Sequence, residues 1–286
     1  MMAYGYTCLV DGKNTLYRHN YTGHLVSPEG QKTSGVHGMF KDVSNIIRIH
    51  KPDNLVICWD KGQSRERIKM YPAYKGTRDK SDLAVQENLG FQVQHARIMF
   101  KGLPVKQITL DGVEADDVIG FLCKKIKGKK MIFSNDSDFL QLVNEETSLW
   151  LPSKKILITK KNVNEYLGFD VKYYVLWKSL VGDSSDNIKG IHGIGPVTAT
   201  KVILGEKKIK INREILDLNL KLIRIGSVLN TEDKQNIISQ YKKESSKEVN
   251  PMLVRKVFRK LGFKHLIANF NMNVGVYRQL QSQHQI

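Results

Sequence analysis

Three apolar runs in this chain stop abruptly at an acid: Tyr6 to Val10 before Asp11, Leu55 to Trp59 before Asp60, and Met131 to Phe133 shortly before Asp136. Short runs of this kind read as buried strands. Between the first two, Val36, Met39, Phe40, Val43, Ile46 and Ile47 recur at spacings of three and four, which predicts an amphipathic helix. Strands alternating with helices imply an α/β fold with a parallel-type central sheet and helices on both faces. Ligands of such sheets bind at the carboxyl ends of the strands, which is the edge where the acids fall.

A hairpin-like stretch from Leu149 to Ile158 turns at Pro152 and Ser153, and a mostly helical remainder begins near Asn162. After residue 180 the segment GDSSDNIKGIHGIGPVTATKVI sets two glycine-rich turns between helix-compatible flanks. The expected organisation is a core over residues 1–180, a compact helical domain over 181–268 and a tail over 269–286 with little readable signal. Residues 205–211 and 242–248 read as charged surface loops, and Met252, Val254, Val257, Phe258 and Leu261 as a late amphipathic helix.

With 45 Lys and Arg against 28 Asp and Glu, the formal net charge is +17. Such a surplus points to a polyanionic partner, nucleic acid before anionic membrane. No stretch reaches the roughly 18 apolar residues of a spanning helix, and the N-terminus runs straight into a strand, so we expect a soluble, unexported, cytoplasmic protein that does not engage a membrane. Cys8, Cys58 and Cys123 sit in apolar runs without metal-type spacing and read as reduced core residues. The histidines form no ligand pair, which disfavours zinc, and no Walker-type phosphate loop is present.

Nine acids stand at strand ends, helix starts or turns: Asp11, Asp60, Glu114, Asp116, Asp117, Asp136, Asp138, Asp183 and Asp186. Helix N-termini favour acids by roughly 0.3 to 1 kcal/mol each, which by itself would explain Glu114, Asp116 and Asp117. It does not explain the whole set. Asp136 and Asp138 would share a face of an ordinary strand, and Glu114 and Asp117 one across a helical turn. Two unit charges about 4 Å apart repel by roughly 4 kcal/mol at an effective dielectric of about 20, so a cluster this dense requires cations. Oxygen-only donors select a hard ion, Mg²⁺ with Mn²⁺ as a substitute. Two such ions about 4 Å apart suit in-line displacement at a phosphodiester.

Residues 61–80 hold seven Lys or Arg, among them Arg65, Arg67, Lys69, Lys75 and Arg78, with Tyr71 and Tyr74 interleaved. Most basic runs are solvated faces. Here Pro72 and Gly76 impose a turn, and the tyrosines offer surfaces on which bases can stack. Lys75 and Arg78 would share a face if a helix starts there, ready to clamp a phosphate. Residues 79–100 show a long polar helical pattern with few apolar anchors, predicting an exposed, mobile element above the acidic crevice.

Four blocks, in order, now carry a resemblance: LVDG with Asp11; CWDKG with Asp60 leading to YPAYKGTR; GVEADD followed by SNDSDF; and LVGDSSDNIKGIHGIGPVTATK. Over roughly residues 6 to 265 the chain resembles the 5′ nucleases, which include bacteriophage flap endonucleases and the 5′ to 3′ exonuclease domain of bacterial DNA polymerase I. The resemblance implies a PIN/5′ nuclease-like core with a helical helix-hairpin-helix (helix-three-turn-helix) domain. It further implies a metal-dependent, structure-specific 5′ to 3′ exonuclease and flap endonuclease of DNA replication or repair, using two Mg²⁺ ions.

By the same resemblance Asp11, Asp60, Glu114 and Asp116 are ligands of a first metal site, with Asp117 close by. Asp136, Asp138 and Asp183 are those of a second, and Asp186 a further carboxylate acting through water. Lys75 matches the family's catalytic lysine, working with Asp116 and Asp136, Arg78 the arginine that holds the scissile phosphate, and Tyr74 an aromatic under the terminal base. Arg65, Arg67 and Lys69 are expected substrate contacts. The segment from Ile188 to Lys201 resembles the helix-hairpin-helix element, with Gly190, Gly193, Gly195, Thr198 and Lys201 at duplex phosphates and K⁺ in its turn. Residues 76–100 resemble the helical arch through which a single-stranded 5′ end passes.

Lys189, where many relatives carry proline, and Asn135, where threonine or serine is frequent, depart from the pattern without removing a ligand. With no polymerase domain in the sequence, the expectation is a free-standing, monomeric nuclease, as in phages and some bacteria. Its expected partners are branched or 5′-ended duplex DNA, an RNA/DNA hybrid, and replication proteins. The rivals are an RNA-primer-removing activity of the same site, a single-strand ribonuclease, and a non-catalytic binder of branched DNA.

Overall fold

The computed structural model describes residues 6–20, 23–77, 83–243 and 248–282. The three apolar runs form β1 (Thr7–Asp11), β2 (Asn54–Lys61) and β4 (Lys130–Phe133), and β3 (Lys106–Asp111) precedes the last of these. With β5 (Thr147–Leu151) and β6 (Ile156–Ile158) they build a six-stranded sheet in the order β3-β2-β1-β4-β5-β6. Every neighbouring pair is parallel except β5 and β6, which form the expected hairpin. The chain leaves β1 toward β2 and β3, then returns to its other side as β4. That reversal opens the usual ligand crevice at the carboxyl ends of β1 and β4.

Strand alternation sorts the side chains onto two faces. Cys8, Val10, Leu55, Ile57, Trp59, Met131 and Phe133 face one core, built with α1 (Gly12–Asn20), α2 (Ser34–His50) and, beyond the short α3 (Arg65–Met70), α4 (Leu83–Lys101). Leu9, Val56, Cys58 and Ile132 face the other. That core is closed by α5 (Ala115–Lys125), α6 (Val163–Leu167) and α7 (Tyr174–Val181). All three cysteines are free and buried. No helix among the described residues is long and apolar enough to cross a membrane.

After α7 a two-stranded hairpin, β7 (Gly182–Asp183) with β8 (Ile188–Lys189), leads through a glycine turn into α8 (Pro196–Ile203). Next come α9 (Arg213–Ile223) and α10 (Thr231–Lys242), the latter lying along the edge strand β3. The expected break near residue 268 does not appear in the packing. Val254, Val257 and Phe258 of α11 (Pro251–Lys260) and Leu266 of α12 (Lys264–Ala268) join the same core as α2 and α4. So do Phe270 and Val274 of α13 (Phe270–Gly275), Tyr277, and Leu280 of α14 (Arg278–Ser282). The tail is thus a structural element: Tyr277 stacks on Phe40 at 5.7 Å, and its hydroxyl lies 3.2 Å from Ser44 Oγ. Met252 alone of the late helix's apolar set faces solvent, at 83% exposure.

Two further expectations change. Residues 72–77 form turns, and Lys75 takes a left-handed φ of 54°, so no helix brings it into register with residue 78. Arg78 and the start of the expected arch, through residue 82, lie outside the described residues. The rest of that stretch is α4, whose Leu89, Ala96, Met99 and Phe100 are buried core. Its pattern read as polar because Gln92 is also buried, accepting from Gly35 N at 2.9 Å and donating to Asn20 Oδ1 at 2.7 Å.

Candidate active site

The strands deliver their acids to one edge. Asp11 ends β1, Asp60 sits near the end of β2, Glu114 precedes α5, and Asp136 follows β4. Across the switch point, Ser134 Oγ donates to Asp11 Oδ2 at 2.9 Å, and Asn14 N donates to its Oδ1 at 3.1 Å. Asp60 Oδ1 accepts from Ala115 N at 2.8 Å and so aligns the first turn of α5 with the sheet edge. Residues 134–136 leave the strand, so Asp136 and Asp138 do not share a strand face. Asp136 caps a short 3₁₀ helix, its Oδ1 accepting from Asp138 N at 2.8 Å. At this edge lies a cavity of about 250 Å³ lined by Lys75, Asp116, Asp136, Asp138, Lys178, Asp183 and Asp186, with Ser137 and Ser185.

Three cations sort the acids. Arg67, 1% exposed, donates from Nη1 to Glu114 Oε2 and from Nη2 to Asp117 Oδ1, both at 2.9 Å, and from Nε to Leu222 O at 2.8 Å. Its guanidinium is thus enclosed, so the substrate contact expected of it gives way to a structural ion pair. The second oxygen of Asp117 also meets Arg67, and Gly226 N donates to Oδ1 at 2.7 Å, which leaves Asp117 fully buried and satisfied. Lys75 Nζ bonds to Glu114 Oε1 and lies 3.7 Å from Asp186 Oδ2. Tyr74, 2% exposed, sets its hydroxyl 2.9 Å from Glu114 Oε2 and 3.0 Å from Asp186 Oδ2. Its ring is buried, with Lys75 Nζ 4.9 Å and the Arg67 guanidinium carbon 5.8 Å from the centroid, and offers no open face to a terminal base.

The third cation is one the sequence reading missed. Lys178 Nζ pairs with Asp138 and lies 2.8 Å from Asp183 Oδ2. Its only sequence signal is a single charge within the apolar run YVLWKSLV of α7. Burial alone would lower its pKa, but Asp138, Tyr174 and Asp183 hold it well above the usual lysine value. Asp183 Oδ1 accepts from Ser185 N at 2.8 Å and Ser185 Oγ at 2.7 Å, closing the turn that carries Asp186.

The remaining acids lack such partners. Among the described residues, Asp11, Asp60, Asp116 and Asp136 form no ion pair. Burial, then Asp60 and Asp136, pushes the Asp11 carboxyl up to about 7. Asp116 is driven well above the carboxylate range by burial and then by Asp117, and Asp136 is raised chiefly by burial. Asp138 rises to about 6 through burial and Asp136, even beside Lys178. Burial also raises Glu114 and Asp183, but Lys75, Arg67 and Tyr74 around the first and Lys178, Ser185 and the Asp186 amide around the second together outweigh it and leave both below the usual value. Ligand atoms of Glu114, Asp116 and Asp117 lie within 4.8 Å of one another.

Around this centre the basic residues diverge. Arg65 donates to Asp111 O at 2.8 Å and pairs with Asp233, while Lys69 stays exposed beside Glu66. In the glycine turn, Ile191 and Ile194 are buried with Leu180 and Ala199, which pushes Gly193 and Gly195 outward. Gly193 needs its left-handed φ of 77°, and a Cβ at Gly190 would fall 2.1 Å from Val181 O. Lys201 is exposed and Thr198 half-buried on α8, whose N-terminus has no side-chain cap.

Residues 6–168 match the family model for the 5′-3′ exonuclease, N-terminal resolvase-like domain. The chain belongs to the 5′-3′ exonuclease family. Among relatives of this exonuclease, the 5′-3′ exonuclease of Buchnera aphidicola subsp. Acyrthosiphon pisum is 32% identical over 200 residues, 68% of each chain. That of Aquifex aeolicus is 29% identical over 243 residues, covering 78% of this chain and 83% of that one. The fold, a mostly parallel sheet flanked by helices, is shared with the T5 D15 protein crystallised with metal ions. The TM-score is 0.66 at 19% identity, over 90% of this chain and 98% of that one.

The donor set of this exonuclease fits a hard divalent ion. It is all oxygen, and four of its acids are buried or half-buried without an internal cation.

Proposed function

We propose that this exonuclease is a structure-specific 5′ nuclease that hydrolyses phosphodiesters near a free 5′ end or flap junction in duplex DNA, with two divalent ions, Mg²⁺ or Mn²⁺. The observation that carries the reading is the division of the acids: Arg67, Lys75 and Lys178 engage Glu114, Asp117, Asp138 and Asp183, while Asp11, Asp60, Asp116 and Asp136 stand at the same sheet edge with no ion pair among the described residues, and burial raises the pKa values of Asp11, Asp116 and Asp136. Asp11, Asp60 and Asp116, with Glu114, would hold one ion. Asp136, Asp138 and Asp183 would hold the second, with Asp186 at its edge. Bound there, the ions would supply activated water and stabilise the leaving oxygen.

The chain's own groups do the rest. Lys75 sets an ammonium at the cavity wall for the scissile phosphate, and Asp117 with Arg67 fixes the first turn of α5, from which Asp116 projects. The α7-turn-α8 unit acts as a helix-hairpin-helix. Its uncapped amides at Gly193 and Gly195, with Thr198 and Lys201, meet duplex phosphates without reading sequence, and K⁺ can sit in the turn. Lys69, Arg78 and the segment before α4 guide the 5′ strand into the crevice. The protein acts as a monomer in the cytoplasm beside replication proteins.

A labelled 5′-flap duplex should be cut with magnesium and remain intact with EDTA; equal cutting in both defeats the metal reading. The same assay on nicked and RNA-primed duplexes separates flap cutting from primer removal. Lys75→Ala should slow single-turnover cleavage while duplex affinity holds, because one phosphate contact is a small part of the electrostatic footprint.

A further inference from the structure

Four non-glycine residues among those described have positive φ: Lys51, Lys75, Lys155 and Asn187. Lys51 caps α2, and Lys155 sits in the β5-β6 turn. The other two, at 54° and 57°, lie in two turns that are hydrogen-bonded to each other. A lysine rarely holds this conformation unless its surroundings fix it, whereas asparagine tolerates it well.

Three hydrogen bonds tie the two turns, beside the 3.7 Å approach of Lys75 Nζ to Asp186 Oδ2. Lys75 N donates to Asp186 O at 2.9 Å, the Tyr74 hydroxyl lies 3.0 Å from Asp186 Oδ2, and Asn187 Nδ2 donates to Ala73 O at 2.7 Å. Ala73 O also accepts from Gly76 N at 3.0 Å, which closes the turn with Tyr74 and Lys75 at its centre. Asn187 therefore grips the peptide that opens the lysine's turn. Its own backbone N donates to Ser184 O at 3.2 Å, within the loop that presents Asp183 and Asp186. Of the three hydrogen bonds between the turns, that of Asn187 Nδ2 is the one that does not end on Asp186.

We propose that Asn187 is a positioning residue that holds Lys75 in its strained conformation over the acids by bonding to the Ala73 carbonyl. The proposal rests on the reading of Lys75 as the cation for the scissile phosphate. It adds a division of labour within GDSSDN: Asp183 and Asp186 address the ions, and Asn187 addresses the lysine. Because the bond lies at the solvent edge, its loss leaves the core intact.

The test is a double-mutant cycle in single-turnover cleavage of a 5′-flap duplex at saturating enzyme and magnesium. Asn187→Gly keeps the left-handed backbone and removes the amide. It should slow cleavage by about 10- to 100-fold, the range for a catalytic group displaced by about 1 Å. Its thermal midpoint, magnesium titration and duplex affinity should stay at wild-type values. Asn187→Asp, which keeps the shape but cannot donate, should lose at least as much rate. In a Lys75→Ala background Asn187→Gly should cost nothing more, since both act through one group. Additive losses, a wild-type rate for Asn187→Gly, or a shifted magnesium midpoint would each overturn the assignment. A wild-type rate for Lys75→Ala would instead remove the reading of Lys75 beneath it, and the assignment with it.

Discussion

Replacing Arg67 with methionine is the sharpest probe of how this fold tolerates so many acids. The side chain is 1% exposed and spends its guanidinium on Asp117, Glu114 and Leu222 O. Burial alone would lower its pKa, yet Asp117 and Asp116 hold it well above the ordinary arginine value. Hydrogen bonds to charged groups are worth about 1.5 to 3 kcal/mol each, so a naive sum here exceeds about 6 kcal/mol. That sum overcounts. Glu114 keeps Lys75 and the Tyr74 hydroxyl, and Asp117 keeps Gly226 N. What remains is one buried carboxylate without its cation, a loss of about 3 to 5 kcal/mol. For a chain of this size that lowers the melting temperature by roughly 6 to 20 °C.

Urea unfolding near neutral pH in EDTA measures the loss. A second substitution fixes its cause. Asp117→Asn in the Arg67→Met background removes the orphaned charge while leaving an oxygen for Gly226 N, so the double variant should be more stable than Arg67→Met. A loss below about 1 kcal/mol for Arg67→Met, or a double variant less stable than the single, would show that the pair is not a buried, mutually dependent unit.

Other consequences follow from the same map of charges. In EDTA the stability should fall as pH rises from about 5.5 to about 8, because Asp11 and Asp138, at about 7 and about 6 when folded against 3.8 as model groups, bind protons more tightly in the folded state. The depressed acids Glu114 and Asp183 act in the opposite sense, losing their contribution as pH falls below their ordinary values of 4.5 and 3.8, outside that window. Saturating magnesium should flatten the trend, and a denaturation midpoint that rises with pH in EDTA would contradict it. Lys178→Met removes the cation between Asp138 and Asp183, so calorimetry should show tighter Mn²⁺ binding with reduced stability of the metal-free protein; unchanged affinity would mean that Lys178 does not oppose the ion. Gly190→Ala would set a methyl against Val181 O and should weaken duplex binding by deforming the turn while cleavage of short 5′ overhangs survives. Unaltered duplex affinity would free the turn from that role.

What the sequence made legible was whatever is encoded locally. β1, β2 and β4 are continuous apolar runs because a parallel strand covered on both faces has no solvent side. β3 escaped notice because it is an edge strand. Lys106, Gln107 and Thr109 break its pattern, and its free backbone is met by Gln240, which accepts from Thr109 N at 3.1 Å and donates to Thr109 O at 3.0 Å. The acids at strand ends were visible, but their partners were not. Arg67 and Tyr74 lie in a run whose composition says surface, and only Glu114 and Asp117, far along the chain, reveal them as buried. The tail was legible after all: Phe270, Val274, Tyr277 and Leu280 recur at spacings of four, three and three, a helical period that the sequence reading passed over, and each reaches the core.

That asymmetry has a physical origin. A carboxylate at a strand end is placed by backbone geometry, which local pattern encodes, whereas the cation that neutralises it can come from any element the fold brings near. Arg67, Lys75 and Lys178 come from α3, a turn and α7, and each meets acids from another segment. Their attachment leaves Asp11, Asp60, Asp116 and Asp136 without a paired cation, where adding a divalent ion relieves repulsion and removing it restores the raised pKa values of Asp11, Asp116 and Asp136. A cluster with no internal cations would leave every acid competing for protons, and one with a cation on every acid would make an arriving ion displace a bound ammonium or guanidinium at each ligand. The partial pairing seen here offsets part of the repulsion among the acids and still leaves carboxyls whose repulsion a divalent ion would relieve.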